Sequence, residues 1–330
     1  MTEEKRLLLV EDDVDQATLV RRWLEKAGYR VVHAAHALDG AALASTRGFD
    51  AVITDLYLPH GSGFDVVAAS KAADRYRPAL VITSDDALET GVHAMKCRAD
   101  DCVGKPLRRD ALLNKLSRIV ERNESARVAN RTRVLAIGAH PDDIEIGCGG
   151  ALLTHKHEDA ELMILTLSAG SQGGVASTRG HEAAAAARHL GAKLILGDFE
   201  DTNISAGSAT IGKISEAIQD FKPDFLYTHT DSDTHQDHVN VHRASLVAAR
   251  TVPNVMCYQS PSSTIDFRPN RFVDISPSID DKLGLISHHR SQTTKCVYLD
   301  DDLILATARY WGRYAGYVEV EPFEVVRQTK

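Results

Sequence analysis

The sequence predicts an α/β protein built from two doubly wound, Rossmann-like parallel-sheet domains. Two observations carry that class. Short apolar runs alternate with segments of helical spacing from the first residues onward, the pattern of a parallel sheet with crossover helices. The alternation then breaks at a charged, polar stretch, residues 121–127, and restarts at Arg133. At 330 residues the chain is long enough for two domains, each burying its own core.

Taken in order, the strand-like runs of the first half lie at 7–10, 51–54, 79–83 and, more briefly, 101–103. Helical spacing fills 16–27 and 110–120. Past Val120 the apolar period is lost, so residues 121–127 either extend the last helix or serve as a tether. The expected division is a first domain over 1–122, a linker over 123–132 and a second domain over 133–330. In the second half, 134–137 reads as a buried strand, Gly149-Gly150 opens a helical pattern, and 225–228 reads as another strand. The last eighty residues are less regular, with Pro261 and Pro269 interrupting them.

Composition excludes several classes. The net charge of −8 comes without a basic stripe, which argues against a nucleic-acid partner. No apolar run is long enough to span a membrane, and the polar N-terminus has no signal-peptide pattern. Five scattered cysteines without a Cys-x-x-Cys pair suit free thiols in a reducing cytoplasm.

The strand ends of the first half share one chemistry. Glu11 and Asp12 follow the first run, Asp55 ends the second, Thr83 closes the third, and Lys105 follows the last. Clustered carboxylates hold a hard cation such as Mg²⁺, which offsets repulsion when a carboxylate attacks a phosphoryl donor. A lysine and a threonine hydroxyl can hold the phosphoryl oxygens. Leu8-Leu9-Val10-Glu11-Asp12-Asp13, Asp55-Leu56-Tyr57-Leu58-Pro59 with Gly63, Ile82-Thr83-Ser84 and Lys105-Pro106-Leu107 together resemble the receiver domain of two-component response regulators. The resemblance implies a flavodoxin-like fold, with Asp55 phosphorylated by a histidine kinase or phosphotransfer protein. Glu11, Asp12 and Asp55, with the main-chain carbonyl of Tyr57, would hold Mg²⁺, and Thr83 and Lys105 would sense the phosphoryl group. One position departs: Cys102 stands where receivers usually carry the aromatic residue that reports phosphorylation.

The second half carries a different set. Ala139-His140-Pro141-Asp142-Asp143 directly follows a strand, and His235-Gln236-Asp237-His238 follows another about a hundred residues later. Ligands of open α/β sheets bind at such strand ends. A three-ligand zinc activates water, a free carboxylate moves the proton, and an imidazole can hydrogen-bond an oxyanion. These clusters, with Gly147-Cys148-Gly149-Gly150, Arg179-Gly180-His181-Glu182, His289-Arg290-Ser291-Gln292 and Glu321-Pro322-Phe323, resemble the PIG-L/LmbE family of zinc-dependent N-acetylglucosaminyl deacetylases. The resemblance implies an LmbE-like fold with His140, Asp143 and His238 as zinc ligands and Asp142 as general base. His235 would stabilise the oxyanion, Asp237 would orient an imidazole, and Arg179 and Asp201 would meet sugar hydroxyls.

His155, His157 and His189 read as helix-surface residues, and Trp311, Tyr314 and Tyr317 as core packing, with a sugar-stacking role at the rim of the site as the alternative. The expected protein is a cytoplasmic response regulator whose output hydrolyses an N-acetylated, sugar-type small molecule, with a second copy of the chain as a further candidate partner. The competing expectation is a signalling scaffold that binds a ligand without turnover, and the intact Asp142 argues against it.

Overall fold

The computed structural model describes residues 5–46, 48–84 and 98–329, so Cys97 lies outside the described residues. The chain divides into two compact units, Met1–Asn130 and Arg131–Lys330.

The first unit runs β1 (Lys5–Val10), α1 (Val14–Lys26), β2 (Tyr29–Ala34), α2 (Ala37–Ala44) and β3 (Ala51–Asp55). A small hairpin follows, β4 (Tyr57–Leu58) and β5 (Gly61–Ser62), then α3 (Gly63–Ala73), β6 (Ala79–Thr83), β7 (Asp101–Gly104) and α4 (Arg109–Ala129). The main sheet has the order β2-β1-β3-β6-β7, with every pairing parallel. Its central strands are covered on both faces, which is why 51–55 and 79–83 are buried throughout instead of alternating. Asp13 caps α1 by accepting from the amides of Asp15 and Gln16. Glycine is required at 63, where any Cβ would collide with the carbonyl of Asp55.

Residues 121–129 are the last turns of α4, not an extended tether. Ion pairs hold them: Arg122 lies 3.1 Å from Asp100, and Arg127 2.5 Å from Asp74. An apolar period is therefore not needed there.

The second unit opens with β8 (Arg133–Gly138), α5 (Asp143–His157), β9 (Glu161–Ser168), α6 (Ala176–Leu190) and β10 (Lys193–Phe199). It continues through α7 (Ser208–Phe221), β11 (Phe225–His229), α8 (Gln236–Ala248) and β12 (Asn254–Tyr258). The last part holds β13 (Arg271–Asp274), α9 (Ile279–Ile286), α10 (Arg290–Thr293), α11 (Asp301–Ala315) and β14 (Val320–Arg327). The sheet order is β10-β9-β8-β11-β12-β14-β13. The first five strands are parallel, whereas β14 runs antiparallel to β12 and β13 antiparallel to β14. The irregular C-terminal stretch thus adds an antiparallel edge to an otherwise parallel sheet. Each strand feeds both faces: in β8, Val134 and Ala136 join one buried cluster, Leu135 and Ile137 the other. Among the described residues no helix is long and apolar enough to cross a membrane.

Three side chains differ from the core-packing and helix-surface readings. Tyr314 and Tyr317 are about half exposed, because α11 presents only Ile304, Ala308 and Gly312 as its buried stripe. His155 is packed inside, its Nε2 3.0 Å from the Tyr227 hydroxyl and its ring 5.1 Å from Phe225. Burial pushes its pKa down to about 4. The unfolded chain takes up a proton there near pH 6.5, while the folded chain stays neutral. Stability is therefore complete above about 6.5 and is lost as pH falls towards 4, by on the order of 2–3 kcal/mol. Chemical denaturation across this window should show that decline, and His155→Gln should flatten it.

Candidate functional site

β8 lies between β9 and β11, so the connections leaving β8 and β11 part in opposite directions and open a crevice at their carboxyl ends. Residues 139–142 leave β8 and lead into α5, with Asp142 at the N-cap and a left-handed backbone, φ +101°. Residues 230–235 lead from β11 into α8. These two connections bring together the three residues expected to bind zinc.

Asp143 is the hub. Its Oδ2 accepts the His140 amide at 2.7 Å and lies 3.4 Å from His140 Nδ1, while its Oδ1 lies 3.4 Å from His238 Nε2. The far nitrogen of each ring meets a different carboxylate. His140 Nε2 is 3.1 Å from Asp201 and 3.2 Å from Asp237, and His238 Nδ1 is 3.0 Å from Asp233. A metal-binding histidine characteristically has its second nitrogen held this way. His140, His235 and His238 also place ring nitrogens within 4.8 Å of one another.

The electrostatics match a site for a cation. Burial opposes charging His140, but Asp143 and its other carboxylate neighbours outweigh it and raise the pKa to about 12. His238 rises in the same way to about 9. Asp143, also buried, is held well below its ordinary value by His238, His229 and His140. Asp142 goes the other way: burial, then the charge of Asp143, lifts it to about 7 against the pull of Arg179.

Arg179 and Asp201 line the cleft, and both also make hydrogen bonds within the protein. Arg179 donates to Asp142 Oδ1 at 3.1 Å, to the Pro141 carbonyl and to the Gly170 carbonyl at 2.9 Å. Gly170, at φ +64°, leaves the space this guanidinium occupies. Asp201 faces His140 and accepts the Gln172 amide at 2.7 Å. Arg179 thus holds Asp142, and Asp201 faces His140, from the wall of the same cleft. Asp237 is fully buried; it accepts the amides of Thr202 at 2.8 Å and Ile204 at 3.1 Å besides facing His140. His235 is only partly buried, and its Nδ1 accepts the Asp237 amide at 3.2 Å. That assigns the proton to Nε2. Burial and the nearby His238 and His140 lower its pKa, so it is a neutral donor.

Sequence reasoning missed Asp233 and His229. His229 stacks on His238 at 4.0 Å, and its Nε2 accepts the Ala139 amide at 3.1 Å and lies 3.2 Å from Asp143. Its position as the last residue of β11 was the available signal. His242 supports it from behind through the His229 carbonyl, at 2.8 Å. Cys148 is fully buried, burial pushes its thiol up, and it joins none of the metal-holding groups among the described residues; the four described cysteines are free.

In the first unit Glu11, Asp12 and Asp55 place carboxylate oxygens within 4.8 Å of one another. Lys105 Nζ lies 2.5 Å from Asp55 and 3.8 Å from Glu11. Burial and then the charge of Asp55 raise Glu11 to about 7. Thr83 is buried, and its carbonyl accepts the Lys105 amide at 2.8 Å. The Tyr57 amide donates to Asp55 Oδ1 at 3.2 Å, and its side chain points outward, 60% exposed. Cys102 is buried in the sheet.

Comparison with known proteins agrees with both halves. Residues 135–249 match the GlcNAc-PI de-N-acetylase family, PIG-L, and residues 7–117 match the response regulator receiver domain. YaiS of Escherichia coli (strain K12), described as an uncharacterized deacetylase, is 33% identical over 171 residues, 49% of this chain and 92% of YaiS. SilR of Salmonella typhimurium, a probable transcriptional regulatory protein, is 30% identical over 129 residues, 39% of this chain; the chain spans 57% of SilR. The solved structure of the conserved protein TT1542 from Thermus thermophilus superposes with a TM-score of 0.53 at 28% identity, covering 60% of this chain and 95% of TT1542. The chain thus belongs, through its second unit, to the PIG-L family, and its first unit is a response regulator receiver domain.

Proposed function

We propose that this chain is a response regulator with an enzymatic output. Its second unit would hydrolyse the N-acetyl group of an amino sugar or a related N-acyl compound with zinc, and phosphorylation of Asp55 would modulate that reaction. The observation that carries the reading is the pair His140 and His238: each turns one nitrogen to Asp143 and has the other held by a separate carboxylate. Two imidazoles and one carboxylate suit zinc, and the raised affinity of both rings for a proton marks a place where positive charge is favourable.

Zinc held by His140, Asp143 and His238 would supply an activated water and polarise the scissile carbonyl. Asp142 accepts the proton of the attacking water and returns it to the leaving nitrogen, and a pKa near 7 suits both transfers. Arg179 fixes Asp142 through Oδ1, which leaves Oδ2 for the water. His235, a neutral donor at Nε2, hydrogen-bonds the oxyanion. Asp237 and Asp201 fix the His140 ring.

In the receiver, Glu11, Asp12, Asp55 and the Tyr57 carbonyl would hold Mg²⁺, which offsets the charge of the incoming phosphoryl group. Asp55 accepts the phosphoryl group from a cytoplasmic histidine kinase or phosphotransfer protein. Lys105 and Thr83 hold its oxygens.

The test is release of free amine from a panel of N-acetylated amino sugars by the zinc-loaded full chain, with and without Mg²⁺ and beryllofluoride. We expect turnover that changes with beryllofluoride, and an Asp55→Ala variant whose rate does not respond. Equal rates in the native protein would end the coupling. No turnover with one zinc bound would end the deacetylase reading.

A further inference from the structure

Two cavities of the second unit meet at the candidate site. The first, about 390 Å³, holds His140, Asp142, Asp143 and His238, and its remaining wall is polar, with Gln172, Asp201, Thr202 and Gln292. The second, a chamber of about 240 Å³, has an apolar side of Ile146, Leu303, Ile304, Ala308, Val320 and Pro322. Its polar side chains include Gln259, whose Oε1 accepts from Trp311 Nε1 at 2.9 Å, and Ser263, whose Oγ accepts the Ser260 amide at 2.9 Å. Ile146, Pro261 and Tyr298 line both, so the two cavities adjoin at these three side chains.

The charges on the chamber wall do not alter its character. Lys282 and Glu321 are buried as a pair 2.5 Å apart. Lys282 also donates to the Ile146 carbonyl at 2.8 Å, and Glu321 accepts the amides of Gly150 and Ala151, each at 2.7 Å. Neither presents an unbalanced charge to a ligand, whereas the apolar lining favours a group that gains by leaving water.

We infer that this chamber receives the acyl chain of the substrate, so that the preferred scissile group is an N-acyl group longer than acetyl. The inference rests on amide hydrolysis at Asp142 and specifies its substrate. Position along the helix selects the acyl side. Ile146 follows Asp143 by three residues in α5, and its amide donates to the Asp142 carbonyl at 3.0 Å. The chamber therefore begins about one helical turn, roughly 5 Å, from the carboxylates that flank the scissile carbonyl. An acyl chain starts at that carbonyl and reaches the chamber within a few methylenes. The amine half of the substrate then falls to the polar wall, where hydroxyl partners lie.

The first arm of the test is binding of straight-chain carboxylates, acetate to octanoate, to the zinc-loaded full chain by calorimetry. Kd should fall about fourfold per methylene (about 0.8 kcal/mol each) until the chamber is full. The second arm is kcat/KM on N-acylglucosamines of the same lengths, which should rise by a similar factor. Leu303→Trp and Thr307→Phe start from exposed positions on the chamber rim, so the fold should tolerate them. Both should remove the chain-length gain and leave the acetyl substrate unchanged. A Kd independent of chain length, or a gain that both variants retain, would overturn the assignment. A gain seen only with an octyl glycoside of N-acetylglucosamine would overturn it too, by placing the apolar group on the sugar side. Absence of amide turnover with the carboxylate series intact would sink the hydrolase reading and leave the chamber assignment standing.

Discussion

Asp142→Asn is expected to lower kcat/KM by about 10²–10⁴-fold, the usual contribution of a positioned general base, while zinc binding and the fold persist. Asparagine preserves the acceptor that Arg179 engages at Oδ1, but it cannot take a proton from water. Replacing a buried carboxylate beside Asp143 with a neutral amide also removes repulsion, so thermal stability should hold or rise. The pH profile supplies a second reading. Only the ionised carboxylate acts as base, so native kcat/KM should fall with pH on an acidic limb at or below about 7, a bound cation drawing it downward. Steady-state kinetics with metal analysis checks this: a variant retaining native kcat/KM would remove Asp142 from the reaction.

Asp237→Asn is expected to weaken zinc binding by about 10–100-fold, the usual cost of losing the carboxylate behind a metal-binding histidine. Asp237 is fully buried and acts only as an acceptor, for the amides of Thr202 and Ile204 and for His140 Nε2. An asparagine turns one of those acceptors into a donor. It must then face a main-chain N–H or force His140 into the tautomer that turns a proton towards the metal. Competition against a chromogenic chelator reads the affinity directly. Unchanged affinity would show that Asp201 alone orients His140.

The residues that bear chemistry were legible because they come in short local clusters at strand ends, where the apolar run itself marks the place. His140, Asp142 and Asp143 follow β8, while His235 and His238 come at the entry to α8. What was not legible depends on contacts between distant segments. Asp233 looks like any loop aspartate until the fold sets it 3.0 Å from His238. Arg179 and Asp201 could be recognised as site residues, yet only packing shows that they point at Asp142 and His140. The end of α4 was hidden for a different reason: charge pairs with Asp74 and Asp100 hold it, and these leave no hydrophobic period. The antiparallel pair β13 and β14 sits beyond a proline-broken stretch, where turn residues mask short strands.

The left-handed backbone at Asp142 carries a cost outside the reaction. A non-glycine residue in that region of φ is held against its preference by about 1–3 kcal/mol. Glycine would relieve this strain together with the buried charge. Selection for heat resistance alone should therefore favour glycine at this position and enrich folded, durable, inactive proteins. Screens for robust variants of this chain should score turnover alongside melting temperature, because at residue 142 the two criteria pull towards opposite amino acids.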